Sequence, residues 1–402
     1  MSETEQPASG TKGFLEKLQS AFSASKEFSL ESLALAQKGG RELQSPLNAI
    51  FGDRLEDMQS PMALPMRIYA RKGQGDEFVR VDPEGDPGGD ALKACLTPTT
   101  GDSASKLPDR VCVFIHGLGS SERTWEIRRK SRDGAKPAPT SYSKLLARDS
   151  GHACVYIRYN TGRHISKNGR ELADLLEAFA RAYPAKLHEI NLIGHSMGGL
   201  VSRSAAFYGQ AAGHSWIKLL TRNLLLGSPL LGAHQEQIGK LTTDILNAIP
   251  LPGTRVTAHF LDFRSDGIQD LGYGYLRDED WDGSPADDDA PGGALKNRRR
   301  PVPLLKHARY YLVIGSLSKD PDGIVGGFLG DGIVNRWSAR GQSGQNRENY
   351  EGYGSPEKNA GNAGDAGPEK TQVASREIVG LSHTAIPGDP RVYRQVRDWL
   401  RD

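Results

Sequence analysis

Five short apolar runs punctuate the middle and later part of the chain. They are Val111-Cys112-Val113-Phe114-Ile115, residues 153–157, Ile190-Asn191-Leu192-Ile193, Leu224-Leu225-Leu226 and residues 310–314. Runs of three to five residues without polar alternation read as strands buried on both faces, the habit of a parallel sheet. Helical spacing fills the intervals. Leu172, Leu175, Leu176, Phe179 and Tyr183 fall on one face until Pro184, and Leu200, Val201, Ala205 and Phe207 follow the third run. Strand and helix alternate in this order, which predicts an α/β domain with a mostly parallel central sheet and helices on both faces. A last strand over 377–379 leads to a closing helix that Asp389 caps, with Pro390 in its first turn and Val392, Val396, Trp399 and Leu400 inward.

The flanks read differently. Phe14, Leu15, Leu18 and Phe22 recur at helical spacing, and Ser29 can cap a second helix with Leu30, Leu33 and Leu35. This is a helical N-terminal arm. Its mixed charge suits packing on the main domain or on a second subunit better than a lipid surface, though contact with a membrane surface stays open. Met66, Ile68 and Ala70 alternate before a glycine-containing turn, and Phe78 and Val79 follow it, which predicts a hairpin over 65–81. Glycine, proline and aspartate then mark a loop or linker to Asp102. The expected division is an arm and linker over 1–105 and the main domain over 106–402. About 233–304 shows no strand, reads as helical over 238–249, and is expected to form a cap or lid inserted over the strand ends. About 341–370 is low-complexity with too few apolar residues to fold, so a flexible insert is expected there.

Composition narrows the function. The 402 residues carry 51 Lys and Arg against 49 Asp and Glu, so no field favours nucleic acid as a partner. The acidic start lacks the apolar core of a secretory signal, and no segment reaches the roughly 18 apolar residues of a membrane span, so a cytoplasmic location is expected. Cys95, Cys112 and Cys154 lack metal-ligand spacing, and the last two fall in strand-like runs, so buried reduced thiols are expected. Neither H-E-x-x-H nor C-x-x-C occurs, and the glycine-rich turns lack a P-loop lysine. No metal and no nucleotide cofactor is expected.

The chemistry centres on Gly194-His195-Ser196-Met197-Gly198, a G-x-S-x-G placed between a strand run and a helical run. In that context the serine sits on a tight strand-to-helix turn, which lifts its hydroxyl out of the sheet and aims the first helical N–H groups at the same point. A serine hydroxyl needs a base, and the base needs an orienting group. Reactive groups of an open parallel sheet gather beyond the carboxyl ends of the strands. His383 follows the last strand and meets that condition. His116 suits a structural hydrogen bond in its glycine-rich loop, and His195, adjacent to Ser196, points in a different direction. The acid is expected from the loop after the 310–314 strand, which offers Asp320, Asp322 and Asp331, two of them in identical Asp-Gly-Ile-Val tetrads. The N–H of Leu118, in His116-Gly117-Leu118-Gly119, and that of Met197 are the expected oxyanion donors.

These stretches resemble a known family. VFIHGLGSSERTW, YIRYNTGRHISKNGREL, LIGHSMGGLVSRSA, LLLGSPLLGA, FRSDGIQDLGYGYLRDEDW, GDGIVNRWSA and GLSHTAIPGDPRVYRQVRDWL are similar to bacterial serine hydrolases of the α/β-hydrolase superfamily. Within it they resemble the lipase and esterase group that includes the inositol deacylases acting on GPI anchors. The resemblance implies the α/β-hydrolase fold and a triad in the chain order Ser196, Asp331, His383, with the G-D-G-x-V segment favouring Asp331 over Asp322. It further implies cleavage of a small-molecule or lipid ester through an acyl-enzyme. Acyl transfer from the same intermediate and a non-catalytic interaction protein on the same fold are the alternatives.

Overall fold

The computed structural model describes residues 41–72, 75, 77–85, 90–96, 107–127, 140–233, 235–247, 265–282, 299–317 and 373–402. The expected N-terminal helices before residue 41, the candidate acids Asp320, Asp322 and Asp331, and the low-complexity stretch lie outside the described residues.

Strands β1 (Arg67–Arg71), β2 (Phe78–Val81), β3 (Arg110–Ile115), β6 (Ala153–Arg158), β7 (Glu189–His195), β8 (Leu220–Leu226), β9 (Arg309–Ser316) and β10 (Val373–Val379) form one eight-stranded sheet. Its order is β10-β9-β8-β7-β3-β6-β1-β2. Two short strands, β4 (Glu126–Ile127) and β5 (Thr140–Ser141), pair separately. The apolar runs occupy the parallel centre, β10 through β6, and the hairpin joins antiparallel along β6 with Ile68 opposite Ile157. The sheet therefore crosses the boundary expected at residue 105. β8 and β10 start earlier than their apolar runs indicate. Thr221, Arg222 and Asn223 break the run in β8, and β10 is an edge strand whose Ser375 and Arg376 are exposed, so main-chain pairing extends it without an apolar pattern.

Alternation along β3 assigns the two layers. Val111, Val113 and Ile115 face a core shared with helices α4 (Ile165–Ala182) and α5 (Met197–Ala211), through Leu172, Leu176, Leu200 and Val201. Cys112 and Phe114 face the opposite core, built with α3 (Tyr142–Ser150) and the closing helix α9 (Pro390–Arg401). Cys112 and Cys154 stand opposite each other on β3 and β6, and with Cys95 they are buried free thiols.

Two helices on the N-terminal side were not anticipated by pattern. α1 (Arg41–Asp57) contains Pro46 and Gly52, which read as breakers, yet Leu47, Ile50, Phe51 and Leu55 are buried at helical spacing. Gly52 allows close approach to the loop after β6, since a side chain there would strike Asn160, whose Nδ2 donates to the Gly52 carbonyl at 2.8 Å. α2 (Asp90–Leu96) forms inside the stretch expected to be loop, because Leu92 and Cys95 bury against the sheet. In the insertion, α6 (Gln235–Asn247), α7 (Asp266–Tyr273) and α8 (Asp278–Trp281) are helical, and no strand occurs there among the described residues. Among the described residues no helix is long and apolar enough to cross a membrane.

The cap of α9 follows the sequence signal. Asp389 accepts from the Arg391 N–H at 2.7 Å, and Pro390 takes the first turn. Asp389→Ala is expected to cost about 1 kcal/mol in urea unfolding. Asp389→Asn keeps a capping oxygen and loses only a partly exposed ion pair, so it should stay within about 0.5 kcal/mol of the parent.

Candidate active site

Ser196 sits between β7 and α5 at φ 54 and ψ −123, in a region that side-chain-bearing residues seldom occupy. Its N–H donates to the Leu226 carbonyl at 3.0 Å, tying the turn to the neighbouring strand. Absent side chains make the turn feasible. A methyl group on Gly194 would lie 2.5 Å from the Gly199 Cα, and one on Gly198 would overlap the carbonyls of Ile115 and His116. A side chain at position 194 would thus collide with α5, and one at position 198 with the end of β3.

His383 begins a 3-10 turn, His383–Gly388, directly after β10. The approach is held by Gly380 at φ 69 and by the N–H groups of Gly380 and Leu381, both donating to the Ser316 carbonyl of β9, at 2.7 and 3.2 Å. The imidazole Nε2 lies 2.9 Å from the Ser196 Oγ, and both residues are buried, 3% exposed. Points 187 residues apart in the chain therefore meet in one hydrogen bond.

The other two candidate histidines take different places. His116 is fully buried, stacks on Tyr159 with ring centres 4.6 Å apart, and directs Nδ1 at the Gly117 carbonyl at 2.9 Å. Burial pushes its pKa down to about 4, so it is neutral and structural. His195 directs its Nε2 at the His383 main-chain carbonyl, 3.1 Å away, rather than at the Ser196 hydroxyl.

The loop after β3 packs against Ser196. A methyl group on Gly117 would stand 3.1 Å from the Ser196 Cβ, the Ser120 N–H closes a turn on the Gly117 carbonyl at 3.2 Å, and Gly119 donates to Thr161 Oγ1 at 3.2 Å. Leu118 lies within this turn, and Met197 is the first residue of α5, whose first N–H groups have no partner one turn back in the helix. From the insertion, Ile245 of α6 presses on Gly119, where a methyl group would be 3.0 Å from Cδ1. The insertion is anchored on α4 by the buried Asp270, which accepts from the Ile165 N–H at 2.8 Å and faces His164 Nδ1 at 3.1 Å.

One buried ion pair supports the loop, and sequence reading missed it. Glu122 receives both Nε and Nη2 of Arg158, Nε at 2.7 Å, and Arg158 lies over the Tyr69 ring. Its signal was a charged residue at the end of the 153–157 run. Burial pushes the Glu122 carboxyl up, but the paired guanidinium outweighs that and holds it below the usual carboxylate range. A cavity of about 720 Å³ opens here, lined by Gly119, Ser120, Ser121, Glu122, Arg158 and Phe78 among others. Among the described residues no group of His, Cys, Asp and Glu could hold a metal ion.

Comparison with known proteins gives the family. Residues 112–368 match the model of a family described as the alpha/beta hydrolase family. No curated protein matches the chain. Among solved structures, the mature lipase BlEst2 of Bacillus licheniformis is 18% identical, covers 73% of this chain and 92% of its own, and superposes with a TM-score of 0.41. The Pyrococcus furiosus esterase PF2001 is 13% identical over 73% of this chain and 82% of its own, with a TM-score of 0.38. A Pyrobaculum calidifontis esterase is 12% identical over 73% and 76%, with a TM-score of 0.36.

Two outcomes are expected. Gly198→Ala forces backbone apart rather than a flexible side chain, so it should unfold the elbow or lower the melting temperature by several degrees. Glu122→Gln strands a buried guanidinium and should cost about 3–5 kcal/mol at neutral pH in denaturant unfolding. Because the folded carboxyl titrates below its unfolded value, its contribution is complete above pH about 4.3 and is lost as pH falls through the folded value. The gap between the parent and Glu122→Gln should therefore narrow in acid.

Proposed function

We propose that this chain, which belongs to the alpha/beta hydrolase family, is a carboxylic ester hydrolase that works through an acyl-enzyme on Ser196. The observation that carries the reading is the 2.9 Å hydrogen bond between His383 Nε2 and the Ser196 Oγ, made by a serine held on a strained turn.

In this mechanism His383 Nε2 takes the hydroxyl proton as Oγ bonds to the ester carbonyl carbon. The carbonyl oxygen becomes an oxyanion, received by the N–H groups of Leu118 and Met197. As the intermediate collapses, the bond to the alcohol oxygen breaks and His383 returns the proton to it. Water then attacks the acyl-enzyme, giving a proton to His383, and the second collapse frees the acid and restores Ser196. Asp331, with Asp322 as the runner-up, holds the imidazole in the tautomer that leaves Nε2 able to accept. The loop beside Gly119 and the α6 contact at Ile245 support a role for the insertion as a cap over the substrate. Three buried free thiols suit a reducing cytoplasmic location.

Ser196→Ala is expected to lower kcat on a short p-nitrophenyl ester by at least about 10⁴-fold with the melting temperature unchanged, and to abolish labelling by a fluorophosphonate probe. An alanine variant with parental activity would refute the assignment, and a folded parent that neither labels nor turns over would favour the non-catalytic reading. Asp331→Asn should lose about 10⁴-fold and Asp322→Asn far less, and the reverse order would exchange their roles.

A further inference from the structure

We infer that His195 is a positioning residue for the reaction, fixing the main chain of His383 so that its imidazole meets Ser196 in one orientation. This rests on Ser196 and His383 acting as nucleophile and base. His383 is bonded twice to the same dipeptide: its Nε2 meets Ser196 Oγ at 2.9 Å, and its main-chain carbonyl meets His195 Nε2 at 3.1 Å. Since a carbonyl only accepts, His195 Nε2 carries the proton and donates. The elbow thus holds the base by backbone and by side chain at once, across 188 residues of chain.

The surroundings keep His195 in that state. It is buried, its ring stands edge-on to Trp125 with centres 6.5 Å apart, and its centre is 5.0 Å from that of His383. Burial, reinforced by the neighbouring His383, pushes its pKa well below the usual histidine range. With Nε2 protonated in a neutral ring, Nδ1 is a bare acceptor. It has no hydrogen-bond partner among the described residues and faces the narrow gap at Gly117, where a methyl group would be 3.2 Å away. Among the described residues the ring's single polar contact is therefore the bond to His383. Neutrality also matters during turnover, because a second cation at this distance would repel the imidazolium that forms on His383.

A neutral donor at this point can be replaced by another of equal reach. Glutamine places its amide nitrogen the same number of bonds from Cα as Nε2, whereas phenylalanine keeps the packing on Trp125 and removes the donor. On a p-nitrophenyl ester, His195→Phe is expected to lower kcat by about 10–100-fold with KM within about threefold, the signature of a misplaced base rather than of weaker substrate binding. His195→Gln should recover kcat to within about fivefold of the parent. Should His195→Phe fail to fold, His195→Asn, whose amide ends short of the carbonyl, supplies the contrast with glutamine. Parental kcat in a folded His195→Phe or His195→Asn, or a glutamine variant as slow as either, would overturn the positioning role alone. An inert parent enzyme would overturn the hydrolase reading together with it.

Discussion

Steric room around one strained residue governs the centre of this molecule. Ser196 holds φ 54 although it carries a side chain, a conformation that costs on the order of 1–3 kcal/mol and persists only where surrounding structure fixes it. Here the fixing is done from three sides. β8 accepts its N–H, α5 starts immediately after it, and the loop after β3 comes close enough that Gly117 must lack a side chain. Glycines 194, 198 and 117 are therefore one requirement met at three places. The centre of the sheet, which supplies the counterweight, is buried on both faces, with the residues of β3 from Val111 to Ile115 each at 0% exposure.

Two loops then converge on that residue, each fixed by its own means. The loop after β3 is held by the Glu122–Arg158 pair and by Ile245 from the insertion, and the segment after β10 is tied to Ser316 and to His195. The buried Glu122 carboxylate is paired with Arg158, and burial keeps His116 and His195 neutral. A buried surrounding of this kind strengthens whatever dipoles face the Ser196 hydroxyl.

Much of this was legible in the sequence wherever one local pattern decides the outcome. Continuous apolar runs gave the parallel centre, period-two alternation gave the hairpin at Met66 to Val79, and Asp389-Pro390 gave the start of the last helix. The pentapeptide at 194–198 carried its elbow because the glycines at its ends are read directly against their neighbours. What stayed hidden depends on tertiary partners. Pro46 and Gly52 look like breakers until Asn160 is seen against Gly52, and Asp90–Leu96 is helical only because the sheet receives Leu92. The reach of His195 to a carbonyl of the last loop has no local signature, and two identical Asp-Gly-Ile-Val tetrads leave the choice between Asp322 and Asp331 to the family resemblance of the G-D-G-x-V segment.

The hairpin that joins β6 in the opposite direction ends the sheet with β2, a strand of four residues that carries an exposed Arg80. A long, flat, apolar border would offer open main-chain groups to any passing extended chain, including another molecule caught partway through folding. Ending on a brief, charged ribbon leaves little template on that side. The parallel, doubly covered centre can then be as apolar as its core demands without making that side of the protein prone to self-association.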